Sequence, residues 1–211
     1  MVARRFRLSH PIGLTGEEKE FMSSTIIWLA ILVVLLIYGI VIYNGLVNLK
    51  NGIIKAWSNI DVLLVQRHDE LPKLVETCKQ YMQFERDTLE KVMSARNASQ
   101  IARQNGDIKG VGDAQGAIRS ALGTISATVE AYPELRSNQA IMQLMGRITG
   151  LENAISDRRE FYNEAVNINN VRIAEFPDLI VARLTGFKEA TLLQFSDDQK
   201  QDVNIQNLFR S

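Results

Sequence analysis

The chain has 211 residues, with 24 basic and 24 acidic side chains, and therefore carries no formal net charge at pH 7. This balance offers no basic surface of the kind that binds a phosphate backbone, so no nucleic-acid partner is expected. The single cysteine, Cys78, excludes an intrachain disulfide and any metal site built on paired cysteines.

The first predicted element is a membrane span. Residues 26–43 are 18 consecutive residues without a charge, and no Asp, Glu, Lys, Arg or His lies between Glu20 and Lys50. About 20 apolar residues in a helix cross a hydrocarbon core of about 30 Å. The span is expected over residues 23–43, after a polar tail over residues 1–22. Its representative residues, with aromatic rings toward the two ends, are Ile26, Trp28, Leu32, Leu36, Ile40 and Tyr43.

The span is expected to remain as an uncleaved anchor, with a cleaved signal peptide as the alternative. A signal peptide has a shorter apolar region that ends in small residues, whereas this run continues into Tyr43, Asn44 and Gly45. Four basic residues precede the span and two follow it closely. This distribution favours a cytoplasmic N-terminus and an extracytoplasmic domain of a single-pass inner-membrane protein.

An amphipathic helix is predicted to continue directly from the span. Apolar residues recur at alternating steps of three and four over residues 46–64. Pro72 interrupts the pattern, since a proline cannot bond the carbonyl group four residues earlier, here that of His68. A tight turn at residues 68–72 is expected, because a straight helix over residues 46–104 would be about 90 Å long. A kinked continuous helix is the alternative, since the apolar stripe keeps its phase across the proline.

Further apolar stripes predict the remaining helices. Residues 105–116 hold four glycines and are expected to form the loop that follows the second helix of the domain. The third helix should end at Pro133, and the fourth should end at Phe176-Pro177. One more short helix is expected around residues 178–186.

These elements predict an all-α protein. Its N-terminal transmembrane helix should run into an antiparallel up-and-down four-helix bundle, because four amphipathic helices with short connections pack in this way. The bundle is expected over residues 44–190, and a polar C-terminal tail over residues 191–211.

Residues that could support catalysis are isolated in the sequence. His10 and His68 have no partner acid or nucleophile at a helical spacing, and Cys78 falls on the apolar stripe, as a core residue does. The glycines of residues 105–116 lack the Gly-Lys-Ser/Thr ending of a phosphate-binding loop. Asn97 begins a glycosylation motif inside a predicted helix, where chance explains it better. No enzymatic activity, cofactor or metal site is therefore expected.

A buried polar network is expected around residues 157–160, whose sequence is Asp-Arg-Arg-Glu. Arg158 or Arg159 should lie close to the apolar stripe of the fourth helix. A buried arginine needs a carboxylate partner, which Asp61 or Glu85 on facing helices could supply.

Several short strings occur along the chain in a specific order. They are YNGLV at 43–47, AWSNIDV at 56–62, ERDTL at 85–89, YPEL at 132–135, LEN at 151–153, and the pairs Arg158-Arg159 and Phe176-Pro177. In this order they resemble the LemA family. The residues that we expect to define the bundle are Trp57, Asp61, Arg67, Pro72, Glu85, Tyr132, Pro133, Glu152, Arg158 and Tyr162.

The resemblance implies a four-helix bundle behind a membrane helix, without an established enzymatic activity. One branch of the family takes part in forming magnetosome membranes, which implies a role in membrane organisation by analogy. The leading hypothesis is a membrane-anchored, non-enzymatic scaffold that self-assembles and organises or shapes the bilayer. Its expected partners are the lipid bilayer and further copies of the chain. The alternative is a membrane-tethered sensor or adaptor, whose bundle binds a small ligand or a partner membrane protein.

Overall fold

The computed structural model describes residues 16–79, 81 and 86–195 of the chain. All regular structure in this part is helical, which confirms the predicted all-α class. Two compact units divide between Gly45 and Leu46. The helices, in chain order, are α1 Gly16–Lys79, α2 Arg86–Gln104, α3 Ile108–Ala131, α4 Pro133–Ser137, α5 Gln139–Ala174 and α6 Asp178–Thr185.

The N-terminal unit contains the predicted span within α1. The span exposes many large apolar side chains. Their exposure to water would be unfavourable by about 25 cal/mol per Å² of apolar surface, whereas the hydrocarbon core of a bilayer solvates them. In the described part of the chain, α1 is the one helix that is long and apolar enough to cross a membrane. It begins at Gly16, within the stretch predicted as a polar tail. The representative side chains of the span are 43–70 % exposed: Ile26, Trp28, Leu32, Leu36, Ile40 and Tyr43.

Helix α1 does not turn at Pro72 but continues to Lys79, so the predicted turn at residues 68–72 is wrong. Pro72 has no N–H to donate to the carbonyl oxygen of His68. The Nε–H of Arg96, on α2, donates to that oxygen instead, at 2.9 Å. Because the carbonyl group keeps a hydrogen-bond partner, the helix continues past the proline, and the chain reverses only after Lys79.

The glycine-rich loop predicted at residues 105–116 is much shorter than expected. Only residues 105–107 separate α2 from α3. Asp107 caps α3, since its Oδ1 accepts the N–H of Gly110 at 2.9 Å. The prediction was wrong because the later glycines, including Gly112, lie inside α3, where a small residue permits close packing.

The helix ends predicted at Pro133 and at Phe176-Pro177 are confirmed. Helix α3 ends at Ala131, and Pro133 occupies the first position of α4, where a missing N–H leaves no bond unmade. Asn138 then caps α5, because its side-chain oxygen accepts two backbone N–H groups of the first turn at 3.0 and 3.3 Å. Helix α5 ends just before Phe176-Pro177, and the predicted short helix follows as α6.

Two clusters of buried apolar side chains form the core of the C-terminal unit. The first draws on α1 to α5 and includes Cys78, which has no exposed surface, as predicted for a core residue. Burial raises the pKa of the Cys78 thiol to about 11. The second cluster contains Ile60, Leu64, Ala102, Val111, Ile155, Tyr162, Val166 and Leu193.

Leu193 belongs to the core although it lies in no helix. It is 1 % exposed and stands beyond residue 190, where the bundle was predicted to end. We call the non-helical segment that carries it, residues 187–195, the strap. The predicted tail from residue 196 onward, like residues 1–15 with His10, lies outside the described part of the chain.

Candidate functional site

Arg67 is the centre of a buried polar network. Its side chain is 2 % exposed, and its guanidinium donates to Oε1 of Glu152 and to Oε1 of Gln115. Gln115 Nε2 in turn donates to Ser99 Oγ at 3.0 Å. These residues come from α1, α5, α3 and α2, so the network links the four long helices of the C-terminal unit.

Burial determines the electrostatics of this network. Desolvation lowers the pKa of Arg67, while the charge of Glu152 acts in the opposite direction. Arg119 Nε lies 3.5 Å from the other carboxylate oxygen of Glu152. Loss of one partner of a buried ion pair costs about 3–5 kcal/mol, yet apolar replacement of the whole pair is often neutral. We therefore infer that the network specifies how the four helices align and adds little net stability.

The prediction that Arg158 or Arg159 enters a buried polar network is wrong for both residues. Arg158 is exposed, and its guanidinium carbon lies 5.9 Å from the centre of the Phe161 ring. Arg159 is half-buried, but its guanidinium stacks on Phe195 at 3.9 Å instead of entering the core network. Both residues lie beside the apolar stripe of α5, where a long side chain can reach solvent or an aromatic ring.

The predicted carboxylate partners are also placed elsewhere. Asp61 pairs with Arg103 of α2, at 2.6 Å between Oδ1 and Nε. Glu85 lies outside the described residues. The sequence held a signal for Arg67, since it occupies the buried stripe of α1 between Leu64 and Leu71. A basic residue on such a stripe indicates a buried charge with a partner on another helix.

The predicted aromatic residues have different roles. The rings of Trp57 and Tyr162 meet edge to face, with centroids 5.6 Å apart. Tyr162 is buried, which raises the pKa of its phenol, and its hydroxyl donates to the carbonyl oxygen of Thr191 at 2.9 Å. Tyr132 is 55 % exposed at the junction of α3 with α4, where Pro133 follows.

The residues considered for catalysis are dispersed. In the described part of the chain, no three His, Cys, Asp or Glu side chains are grouped so that they could hold a metal ion. His68 lies inside α1, where partial burial and the positive charge of Arg96 lower the pKa of its imidazole. Cys78 is enclosed in the first core cluster.

Side chains on one face of α5 bind backbone groups of the strap. The side-chain amide of Asn163 donates to the carbonyl oxygen of Leu193 at 3.1 Å and accepts the N–H of the same residue at 2.8 Å. Asn170 makes the same pair of bonds with Ala190, at 2.9 and 2.8 Å. Each asparagine therefore satisfies both backbone groups of one strap residue. The site was not predicted, because its only signal in the sequence is the pair of asparagines seven residues apart.

The end of the strap is held by its side chains. Leu193 enters the second core cluster. The ring of Phe195 faces the guanidinium groups of Arg159 and Arg119, whose central carbons lie 3.9 and 5.1 Å from the ring centre. Desolvation and the charge of Arg119 lower the pKa of Arg159. The face of an aromatic ring is attractive to two such closely placed cations.

The strap also passes directly over α3. A Cβ atom on Gly112 would overlap the carbonyl oxygen of Gln194, and it would lie 3.0 Å from the carbonyl carbon of that residue and 3.6 Å from the side chain of Leu193. Glycine is therefore required at position 112 by the close approach of the strap backbone.

Large apolar side chains on α5, on α6 and in the link between them remain exposed. On α5 they recur at steps of seven and three residues, which places them on one side of that helix. On α6 they recur at a step of four, which also places them on one side. We call this set the outer apolar surface. Its members are 44–82 % exposed: Phe161, Ile168, Val171, Phe176, Ile180 and Leu184.

An apolar helix suited to a bilayer and an all-helical domain define a membrane-associated helical bundle protein. The LemA family model matches residues 56–207. Because the match covers well over half of the chain, the chain belongs to the LemA family, as the ordered sequence strings predicted.

The chain is also similar to individual relatives. Magnetosome protein MamQ 2 of Paramagnetospirillum magneticum is 27 % identical over 175 residues, which cover 72 % of this chain and 64 % of that protein. Magnetosome protein MamQ of Magnetospirillum gryphiswaldense is 26 % identical over 169 residues, covering 69 % and 62 %. Protein LemA of Metamycoplasma hominis is 26 % identical over 196 residues, covering 92 % and 87 %. The chain thus spans just under two thirds of the length of these MamQ proteins.

Proposed function

We propose that this LemA family protein is a membrane-anchored, non-enzymatic scaffold that self-assembles and organises or shapes the bilayer. The observation that carries the proposal is the outer apolar surface. Large apolar side chains that share one side of a helix and remain exposed are typical of a binding surface. The occupant we propose is a second copy of the same chain.

The arrangement of helices supports this proposal. Helix α1 contains both the apolar span and the Arg67 segment of the bundle. Contacts between bundles would therefore gather the spans of several copies in one bilayer. The buried network joins one side chain from each of the four long helices, and a repeated contact between identical copies requires a fixed alignment of such helices.

The relatives support the membrane role by analogy. Two of them are named as magnetosome proteins, and the family resemblance implies that this branch takes part in forming magnetosome membranes. The alignment covers 64 % of MamQ 2, so a shared role would reside in the helical domain common to both chains.

We also propose that the helical domain lies outside the cytoplasm. Four basic residues before the span and two shortly after it favour this orientation. Protease added to intact spheroplasts should then digest the domain. Protection until the membrane is opened would contradict the orientation and leave the scaffold proposal intact.

The scaffold proposal is tested by the mass of the full-length protein in mild detergent, measured by light scattering. The native protein should form a large, uniform assembly, and Ile180→Glu on the outer apolar surface should reduce its mass. Ile101→Glu is the matched control, because Ile101 of α2 is 59 % exposed and Ile180 is 51 % exposed. A native monomer would contradict self-assembly and favour an adaptor that binds another protein.

A further inference from the structure

The strap is bound as an extended peptide whose spacing matches that of α5. Asn163 and Asn170 are seven residues apart, which corresponds to about 10.5 Å along a helix. Ala190 and Leu193 are three residues apart, which corresponds to about 10 Å in an extended chain. The two amides therefore meet backbone groups in register, and the strap runs antiparallel to α5.

Most of this binding is independent of the strap sequence. The four asparagine bonds reach only N–H and C=O groups, which nearly every residue offers. Sequence preference enters at two positions. Leu193 fills a place in the core, and Phe195 meets the paired guanidinium groups. The site thus selects an extended segment with an aliphatic residue followed, two positions later, by an aromatic residue.

The connection between α6 and the strap is suited to a change of direction. Gly186 ends α6 with a φ of +76°, a conformation that glycine adopts without strain. Residues 183–186, 188 and 189 are exposed. The link itself would therefore lose few contacts on a change of direction, and the contacts of residues 190–195 would be remade in the groove of the other copy.

We propose that α5, with Gly112 of α3, forms an extended-peptide site, and that neighbouring copies exchange residues 190–195 between their sites. This inference rests on the proposed self-assembly. The contacts within the site are the same whichever copy supplies the strap. Whether a site binds its own strap or that of a neighbour then depends on the effective concentration of each strap at the site. The two effective concentrations become comparable when anchored copies are crowded in one membrane. Exchange of an identical element is a low-cost route to joined subunits.

The test uses two full-length chains with tags of different size. Asn167 on α5 and Leu192 on the strap line the same cleft, so one chain carries Asn167→Cys and the other Leu192→Cys. The chains are co-expressed, and membranes are treated with a short bismaleimide. Cys78 is buried and does not compete for the reagent. A chain that carries both substitutions is the positive control for a strap bound within its own copy.

Two glycine variants show whether a cross-link forms with the strap bound in its groove. Gly112→Ala, placed in both tagged chains, should displace the strap, because the added Cβ overlaps Gln194. Gly123→Ala is its control on the same helix, since a Cβ there has no atom within 4 Å. Continued protection of Cys78 from the reagent verifies that each variant is folded.

Exchange predicts a covalent product that contains both tags, at least tenfold weaker with Gly112→Ala and unchanged with Gly123→Ala. If the protein assembles but cross-links form only within doubly substituted chains, exchange is wrong and self-assembly stands. A two-tag product that persists with Gly112→Ala also overturns exchange, since it arises outside the groove. A monomer without two-tag product overturns both proposals.

Discussion

The Nε–H of Arg96 and the carbonyl oxygen of His68 lie 2.9 Å apart, although 28 residues separate them in sequence. The carbonyl group is the one that Pro72 leaves without its helical donor. A side chain of α2 thus replaces a backbone bond of α1. Pro72 and Arg96 act as a pair, and the proline is tolerated because the neighbouring helix supplies the missing donor.

Removal of Arg96 should expose this dependence. Arg96→Ala is expected to lower the free energy of unfolding by about 1–3 kcal/mol, since it leaves the His68 carbonyl without a partner. In a Pro72→Ala background, residue 72 regains an N–H that can donate to the His68 carbonyl. Arg96→Ala should therefore cost at least about 0.5 kcal/mol less in that background than in the native protein. Urea unfolding of the four proteins measures this difference. Strictly additive effects would show that the pairing is incorrect. Lys91→Ala, an exposed change on α2, should shift stability by about 0.5 kcal/mol or less.

Glu152 should be necessary only while Arg67 is charged and buried. Glu152→Ala is expected to cost about 3–5 kcal/mol, because it leaves the Arg67 guanidinium uncompensated. The double change Arg67→Met with Glu152→Met should recover most of that loss. Thermal unfolding followed by circular dichroism compares them. Lys79→Ala, which breaks the exposed pair with Glu76, should cost less than about 1 kcal/mol. A double variant as unstable as Glu152→Ala would mean that the network itself stabilises the fold.

Cys78 should react only when the domain opens. At pH 8 the native thiol is expected to label with an aromatic disulfide reagent far more slowly than the urea-unfolded chain, because it is buried and its pKa is raised to about 11. The folded-state pKa exceeds the ordinary value of 9.0. Stability linked to the neutral thiol is therefore fully present below pH 9 and is lost as the pH rises toward 11. Cys78→Ala should flatten this alkaline loss. Rapid labelling of the native protein would contradict the burial of this residue.

His68 should make the domain sensitive to acid in a defined direction. Burial and the charge of Arg96 lower the pKa of its imidazole below the ordinary value of 6.5, with Arg103 acting in the same sense and Asp69 opposing. The stability linked to neutral His68 is present above pH 6.5 and is lost as the pH falls below it. Between pH 7.5 and 5.5, the melting temperature should fall further for the native protein than for His68→Gln. Equal falls, or an NMR titration of His68 above 6.5, would be the contrary result.

The main helices follow from local pattern, which is why they could be predicted. Apolar spacing located the helical stripes, and Pro133 marked the end of α3 through its own chemistry. Pro72 misled because its compensating partner, Arg96, lies on another helix, and no local pattern records that contact. Gly112 was assigned to a loop for a related reason. A glycine is needed at this position of α3 because the backbone of Gln194, 82 residues later, lies against it.

The candidate sites were harder to predict than the helices. The position of Arg67 on the buried stripe indicated a buried charge, but its partners Glu152 and Gln115 lie on two other helices. The strap left almost no trace, because main-chain recognition places little demand on the residues that are bound. Asn163 and Asn170, at a spacing of two helical turns, were its only local signal.

The central claim is that copies of this protein associate within a membrane. The most direct measurement is the number of subunits per particle in lipid vesicles at low protein-to-lipid ratio, counted by stepwise photobleaching of full-length protein with one fluorophore per chain. Self-assembly predicts particles that bleach in many steps, with fewer steps for Ile180→Glu than for Ile101→Glu. Particles of the native protein that bleach in a single step would contradict the scaffold.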